Sequence, residues 1–159
     1  ESHMYTHEMN DSNTTEGGYV GSKMYTEGLD QARSKIRSDF SGHVITHRRY
    51  LSNAVDSDGQ ASAAVWEDTD VVLMSEHMVY GSNASVFGRL VEGHRYNIGV
   101  EKSQLPLFRH RHDLIGIRTS WWLRDVCSAS YFAAVNYNGN ASRNHASHAN
   151  GVRPAFSIS

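Results

Sequence analysis

The chain has 159 residues, with 15 lysines and arginines against 17 aspartates and glutamates, so its formal net charge is -2 when histidine is neutral. This length fits one domain with a single sizeable core. The charge balance gives no electrostatic reason to bind nucleic acid, and no apolar run approaches the roughly 18 residues that would insert into a membrane as a spanning helix. Cys127 is the single cysteine, which excludes a disulfide within the chain.

The N-terminal part of the chain changes from polar to amphipathic. Residues 1–4 (Glu-Ser-His-Met) resemble a remnant of cloning and are left out of the fold prediction. Residues 5–16 are polar and lack periodicity, which predicts an arm or linker before a single domain over residues 17–159. Within residues 23–40, apolar side chains recur at spacings of three and four, which predicts an amphipathic helix.

Beyond this helix the sequence changes to short segments rich in β-branched and aromatic residues. The predicted strands are residues 43–46, 50–55, 70–74, 121–123, 131–137 and 151–159. Residues 75–81 are typical of one helical turn that ends on glycine, and residues 56–59 of a turn. Asn138-Gly139 is a strong hairpin signal, and Pro154 places the last strand at a sheet edge or a bulge. The sequence therefore predicts an α+β fold with one main helix, short antiparallel strands and long loops.

Residues 125–150 have an unusual composition. They hold half of the ten asparagines, and they contain no Lys, Glu, Gln, Met or Trp, although these five types supply 22 of the other 133 residues. A solvated pair of Ser/Asn/Ala-rich loops is one interpretation. The genetic code offers a sharper one, because randomising both adenines of an AAC codon gives fifteen amino acids and omits these same five. The amino acids that such codons do encode include Tyr, Ser, Asn, His, Asp and Arg, which suit surfaces that adapt to different ligands. This composition therefore predicts a variable binding face held by an invariant frame.

The motifs that flank this segment resemble those of the variable proteins that phage retroelements diversify. They are WWLR at residues 121–124 and GVRPAF at residues 151–156, with weaker resemblance at residues 17–24 and 75–81. The resemblance implies a C-type-lectin-like fold, of the variant shared with formylglycine-generating enzymes. It also implies a receptor-binding domain on a phage tail or bacterial cell surface, which recognises a protein or glycan ligand on a bacterium. Asp125 stands where that family often has serine, so variation is taken to begin there.

The candidate binding residues lie between these two motifs. Phe132 and Val135 are expected to pack inward. The predicted variable face consists of polar, small or flat side chains together with one valine: Asp125, Val126, Ser128, Ser130, Tyr131, Asn136, Tyr137, Asn138, Asn140, Arg143, Asn144, His145 and His148. Binding by such a shallow face would be strengthened by multivalent display, for which a homo-oligomer such as a trimer is suited. No catalytic residue, cofactor or metal ion is expected.

The conspicuous residues of the frame have structural interpretations. Trp121 and Trp122 are expected in the core, because large aromatic side chains anchor cores more often than they bind ligands. Arg124 and Arg153 either pair with acidic residues to hold the frame or lie exposed, and framing is favoured. Cys127 is expected to be an incidental surface or half-buried thiol, since no base lies nearby in the sequence.

The sequence leaves four rival functions to be weighed against this one. A fixed-specificity carbohydrate-binding module would also use a face rich in Tyr and Asn, and a structural tail or adhesin domain would place an assembly interface there. A transition-metal site at His110 and His112 is disfavoured by the neighbouring arginines. The turn at residues 56–59 could offer oxygen ligands to calcium, but it lacks the glutamate that closes an EF-hand loop, so a plain turn is favoured. Catalysis is disfavoured because the chain lacks the cysteine pair of the formylglycine-generating relatives.

Overall fold

The computed structural model describes residues 3–55, 61–81 and 104–159, which form a mixed α+β fold of few helices and several short strands. The helices are a π-helical turn (Met24–Gly28), α1 (Asp30–Asp39), α2 (Glu76–Tyr80), α3 (Pro106–His110) and a 3-10 turn (His112–Leu114). The strands are β1 (Thr6–His7), β2 (His47–Val55), β3 (Ala61–Thr69), β4 (Val71–Leu73), β5 (Trp121–Val126), β6 (Tyr131–Val135), β7 (Ala141–His145), β8 (Asn150–Gly151) and β9 (Pro154–Phe156).

The main sheet contains five of these strands in the order β1-β8-β5-β6-β7. Strand β5 runs parallel to β8 and antiparallel to β6, and β7 is the outer strand beyond β6. Strands β2 and β3 form a separate antiparallel ribbon, and β4 pairs with β9 in another. The hairpin of β6 and β7 therefore forms one side of the main sheet, with β5 next to it and β8 beyond β5.

Two hydrophobic clusters pack against the main sheet, because its strands direct alternate side chains to opposite faces. One cluster contains Trp122 and Phe132 and is covered by residues from the N-terminal third of the chain, among them Tyr19. The other contains Trp121 and is covered by α2 and α3, from which Phe108 is almost fully buried. Burial on both faces fixes the central strands as a rigid base for the hairpin of β6 and β7.

Most of the predicted elements are present, with shifted bounds. The predicted helix over residues 23–40 is divided into the π-helical turn and α1, whose buried residues are Ala32 and Ile36. The short helix over residues 75–81 is confirmed: Ser75 accepts a hydrogen bond from the backbone N–H of Met78. Pro154 lies in the two-stranded sheet of β4 and β9, which confirms its edge position. The predicted turn at residues 56–59 lies outside the described residues.

The segment before the domain is part of the fold, which corrects the prediction of an arm or linker over residues 5–16. Strand β1 pairs with β8 at the edge of the main sheet, and Met9 is fully buried in the cluster around Trp122. The Tyr5 hydroxyl also donates to the carbonyl of Gly28 at 2.6 Å. Composition alone misplaced this segment because its polar residues surround a few anchoring side chains.

Candidate ligand-binding face

The segment with the unusual composition begins in β5 and continues through the hairpin of β6 and β7 to β8. Strand β5 is buried along its whole length, and β6 is buried except at Tyr131. Strand β7, in contrast, carries half-buried and exposed side chains at four of its five positions. The accessible part of the segment is therefore β7, the turn between β6 and β7, and the loops before β6 and after β7.

Asp125 and Val126 lie in the interior, and this corrects their assignment to the exposed face. The carboxylate of Asp125 accepts a hydrogen bond of 2.6 Å from the backbone N–H of Glu76, at the start of α2. Val126 packs in the same cluster as Trp122. Both residues extend β5 beyond the predicted strand, and neither presents its side chain to solvent.

Tyr131, Arg143, His145 and His148 lie together, and we call them the basic patch. The Arg143 guanidinium lies 4.6 Å from the centre of the Tyr131 ring. The Tyr131 hydroxyl and the His145 Nε2 atom are 2.9 Å apart, and the rings of His145 and His148 have centroids 5.6 Å apart. Tyr131 pairs with His145 across the two strands, which explains why distant positions in the sequence form one contiguous surface.

Asn144 belongs to the opposite face of β7. Its neighbours Arg143 and His145 point to the side of the basic patch, and strand alternation turns Asn144 away from them. Its amide Nδ2 donates to the Asn150 Oδ1 atom at 3.2 Å, and its own Oδ1 accepts from the His145 backbone N–H at 2.9 Å. These contacts give Asn144 a role in connecting the end of β7 to β8.

The hairpin turn carries a second accessible group, Tyr137, Asn138 and Asn140, which we call the hairpin tip. Tyr137 is 62% exposed, and both asparagines are also exposed. Asn136 organises the turn, since its side-chain oxygen accepts from the backbone N–H groups of Asn138 and Asn140 at 2.9 and 3.0 Å. The tip is held from below by the Tyr80 hydroxyl, which donates to the carbonyl of Gly139 at 2.8 Å.

The basic patch and the hairpin tip lie at opposite ends of the β6–β7 hairpin. Tyr131 pairs with His145 at one end, and Val135 pairs with Ala141 next to the turn. Four residue steps along an antiparallel strand span about 13 Å. The predicted face is therefore divided into two groups of side chains. One extended ligand, or two separate contacts, would be needed to cover both groups.

The loop between β5 and β6 contains Ser128 and Ser130, and both are half-buried. The Thr15 hydroxyl donates to the carbonyl of Ser128 at 2.6 Å, and the carbonyl of Ser130 accepts from the Ala146 N–H at 3.0 Å. These backbone contacts hold the loop beside the basic patch. Only part of either serine is available to a ligand.

Asn13 supports the face although sequence analysis did not identify it. Its side-chain oxygen accepts hydrogen bonds from the backbone N–H and the hydroxyl of Ser147, at 3.2 and 2.6 Å. Ser147 belongs to the loop that carries His148. A lone asparagine in a polar segment gives no local signal for a contact 134 residues away, so only the folded chain identifies it.

The two frame arginines make contacts with carbonyl groups and aromatic rings. Arg124 is buried and donates to the carbonyl of Leu73 at 3.2 Å. Arg153 donates to the carbonyl of Leu114 at 2.9 Å and lies 4.5 Å from the centre of the Trp121 ring. Burial lowers the pKa of Arg153 from its ordinary value. These contacts with carbonyl groups and a ring place both arginines within the frame. Both tryptophans are fully buried as predicted.

Residues 67–159 match a protein family described as "Domain of unknown function (DUF6273)". This stretch is more than half of the chain. The chain belongs to the DUF6273 family. No curated protein and no solved structure matches it. The DUF6273 match begins inside β3 and includes the hairpin, the basic patch and both flanking motifs.

The described part of this DUF6273 domain contains no group of three or more His, Cys, Asp or Glu residues arranged to hold a metal ion. None of the helices described in residues 3–55, 61–81 and 104–159 has the length and apolar character needed to cross a membrane. Cys127 is partly buried, and burial raises its thiol pKa well above the ordinary value. The thiol is therefore held in its protonated, weakly nucleophilic form at neutral pH.

Proposed function

We propose that this DUF6273 domain is a hypervariable ligand-binding domain with a C-type-lectin-like fold, diversified by adenine-directed mutagenesis. It is displayed on a phage tail or a bacterial cell surface, and it recognises a protein or glycan on a bacterium. Binding requires no catalytic chemistry and no cofactor. The proposal concerns the basic patch and the hairpin tip, with the buried strands as their support.

The observation that carries this proposal is the coincidence between composition and exposure. The absence of Lys, Glu, Gln, Met and Trp extends over the stretch that contains the hairpin and its loops. The motifs on either side are residues 121–124, which are buried in β5, and residues 151–156, which pair with β1, β5 and β4. An invariant frame around a replaceable surface is the arrangement that diversification requires.

The exposed positions are also those where replacement costs least. Substitutions at surface sites without special contacts usually change the free energy of unfolding by less than about 0.5 kcal/mol. Tyr137, Asn138 and Asn140, at the hairpin tip, are all exposed. A library of sequences at these three positions would therefore retain the fold while its ligand changes.

The test is to sequence this gene codon by codon across one natural population. We expect variation at codons ending in C for the basic patch and the hairpin tip. The matched control is within the same segment: Phe132, Ala134 and Ala146 are buried and should stay constant. A uniform segment, or substitutions that ignore both the codon pattern and the exposure pattern, would contradict the proposal.

The hairpin tip also favours a second function, a carbohydrate-binding module of fixed specificity. An exposed tyrosine beside two exposed asparagines offers a ring face and amide groups that suit sugar hydroxyls. This alternative shares the binding face and predicts an invariant one. The sequencing experiment therefore separates the two functions directly.

A further inference from the structure

The ligand chemistry of the basic patch follows from its charge. Residues 127–149 contain no aspartate or glutamate, although the whole chain has an excess of acidic residues. Arg143 carries the full positive charge of this stretch, and His145 and His148 lie beside it. This segment therefore contributes positive and no negative side chains, which suits contact with a negatively charged group.

The position of Arg143 suits it to a specific contact rather than a diffuse one. Its guanidinium lies over the Tyr131 ring, and the Tyr131 hydroxyl is in turn connected to His145. A guanidinium that stacks on a ring keeps a planar set of N–H donors, which bind carboxylate and sulfate-type oxygens in pairs. Less side-chain freedom is lost on binding because the ring already restrains the arginine.

The surroundings of the basic patch favour a sugar chain over a peptide. Energetically dominant sites in protein interfaces are Trp, Tyr or Arg side chains that become fully desolvated in well-packed pockets near the centre of the interface. Among the described residues of the hairpin and its loops, Tyr137 is the large hydrophobic residue with an exposed side chain, and it lies at the other end. The nearer groups are amides, hydroxyls and imidazoles, which match sugar hydroxyls.

We propose that the basic patch binds an acidic glycan, with Arg143 on the carboxylate or sulfate group and the neighbouring polar side chains on the sugar hydroxyls. This inference rests on the proposed function, because it names the ligand class of the same face. It also assigns separate roles to the two ends of the hairpin. The basic patch selects charge, and the hairpin tip contacts the neutral part of the sugar chain.

The experiment measures binding of the full chain to immobilised polymers at about 0.15 M salt, where long-range electrostatics are screened. The probes are alginate and hyaluronan for carboxylates, dextran sulfate for sulfates, and poly-L-glutamate for an acidic peptide. Carboxyl-reduced alginate and plain dextran are the neutral counterparts. We expect at least tenfold tighter binding to one class of acidic glycan than to its neutral counterpart.

Two charge-matched variants decide the role of the patch. Arg143→Gln should weaken binding about tenfold or more, because a charge-assisted contact is lost. Arg48→Gln removes the same charge from an exposed ion pair with Asp68 on the separate β2–β3 ribbon, and binding should stay within about twofold. Thermal unfolding of both variants checks that each is folded. Equal losses in the two variants would overturn the proposal, because the attraction would then be nonspecific.

Other outcomes also overturn it. Equal binding to the neutral polymers would remove the acidic group from the recognition, and equal or tighter binding to poly-L-glutamate would favour a protein ligand. Binding to none of the acidic polymers would contradict the ligand class. The variable codon pattern is measured independently, so this inference can fail while the proposed function stands.

Discussion

Strands β5 and β7 belong to the same sheet and differ in what their side chains can tolerate. Strand β5 has neighbours on both sides and is buried at every position, although it contains Arg124 and Asp125. Strand β7 has one neighbour and is mostly accessible, although it begins with a buried alanine. The position of a strand in the sheet, more than its composition, decides whether it belongs to the buried frame or to the proposed binding face.

The largest difference between frame and surface should be measured at the tryptophans. Trp122→Ala removes a fully buried side chain whose Nε1 donates to the carbonyl of His7 at 2.8 Å, and we expect a loss of about 3–5 kcal/mol in the free energy of unfolding. Trp66→Ala is the matched control, since Trp66 is 53% exposed and contacts Tyr50 on the β2–β3 ribbon. That change should cost less than about 1 kcal/mol. Urea titrations of both variants measure the difference. Equal losses in the free energy of unfolding would contradict the placement of Trp122 in the core.

The hairpin tip contains a frame position of its own, and a glycine pair tests it. Gly139 has φ of 89°, and an added Cβ would lie 2.9 Å from the backbone of Gly116. Gly139→Ala should therefore cost about 2–4 kcal/mol, from strain and crowding together. Gly42→Ala shares the positive φ, at 76°, and its Cβ would meet nothing within 4 Å, so strain alone of about 1–2 kcal/mol is expected.

The difference between these two glycine variants measures the contact between the tip and the loop around Gly116. Chemical denaturation of both proteins gives it directly. If Gly139→Ala costs no more than Gly42→Ala, the tip is not supported by that loop, and the hairpin is less rigid than the binding proposal requires.

The local elements could be predicted from the sequence because their signals are local. The stripe of Ala32 and Ile36 predicts the helix, and Gly81 predicts the end of α2. Asn138-Gly139 lies in the turn between β6 and β7, as the pair predicts. Each of these signals depends on neighbours within about four residues, where spacing and turn chemistry are most informative.

The length of β5 could not be predicted, because the strand is buried on both faces. Such a strand lacks the alternation of polar and apolar residues that marks a half-buried one. The sequence predicts Asp125 as a surface residue, because it is charged. Its burial depends on a contact with the start of α2, 49 positions earlier in the chain. The pairing of β1 with β8 likewise joins the two ends of the domain, beyond the range of any local pattern.

Asp125 gives the smallest of the three effects and tests where the proposed binding face begins. Asp125→Ala removes the acceptor for the Glu76 N–H and leaves a buried donor at the start of α2, which should cost about 1–3 kcal/mol. Asp125→Asn keeps an acceptor oxygen and should lose less. The surface control is Asp68→Ala, whose exposed ion pair with Arg48 is worth less than about 1 kcal/mol. If Asp125→Ala is as stable as the Asp68 control, Asp125 is free to vary and the face extends into β5. If the expected loss is measured, the frame continues through Asp125, and the proposed variable face begins after it.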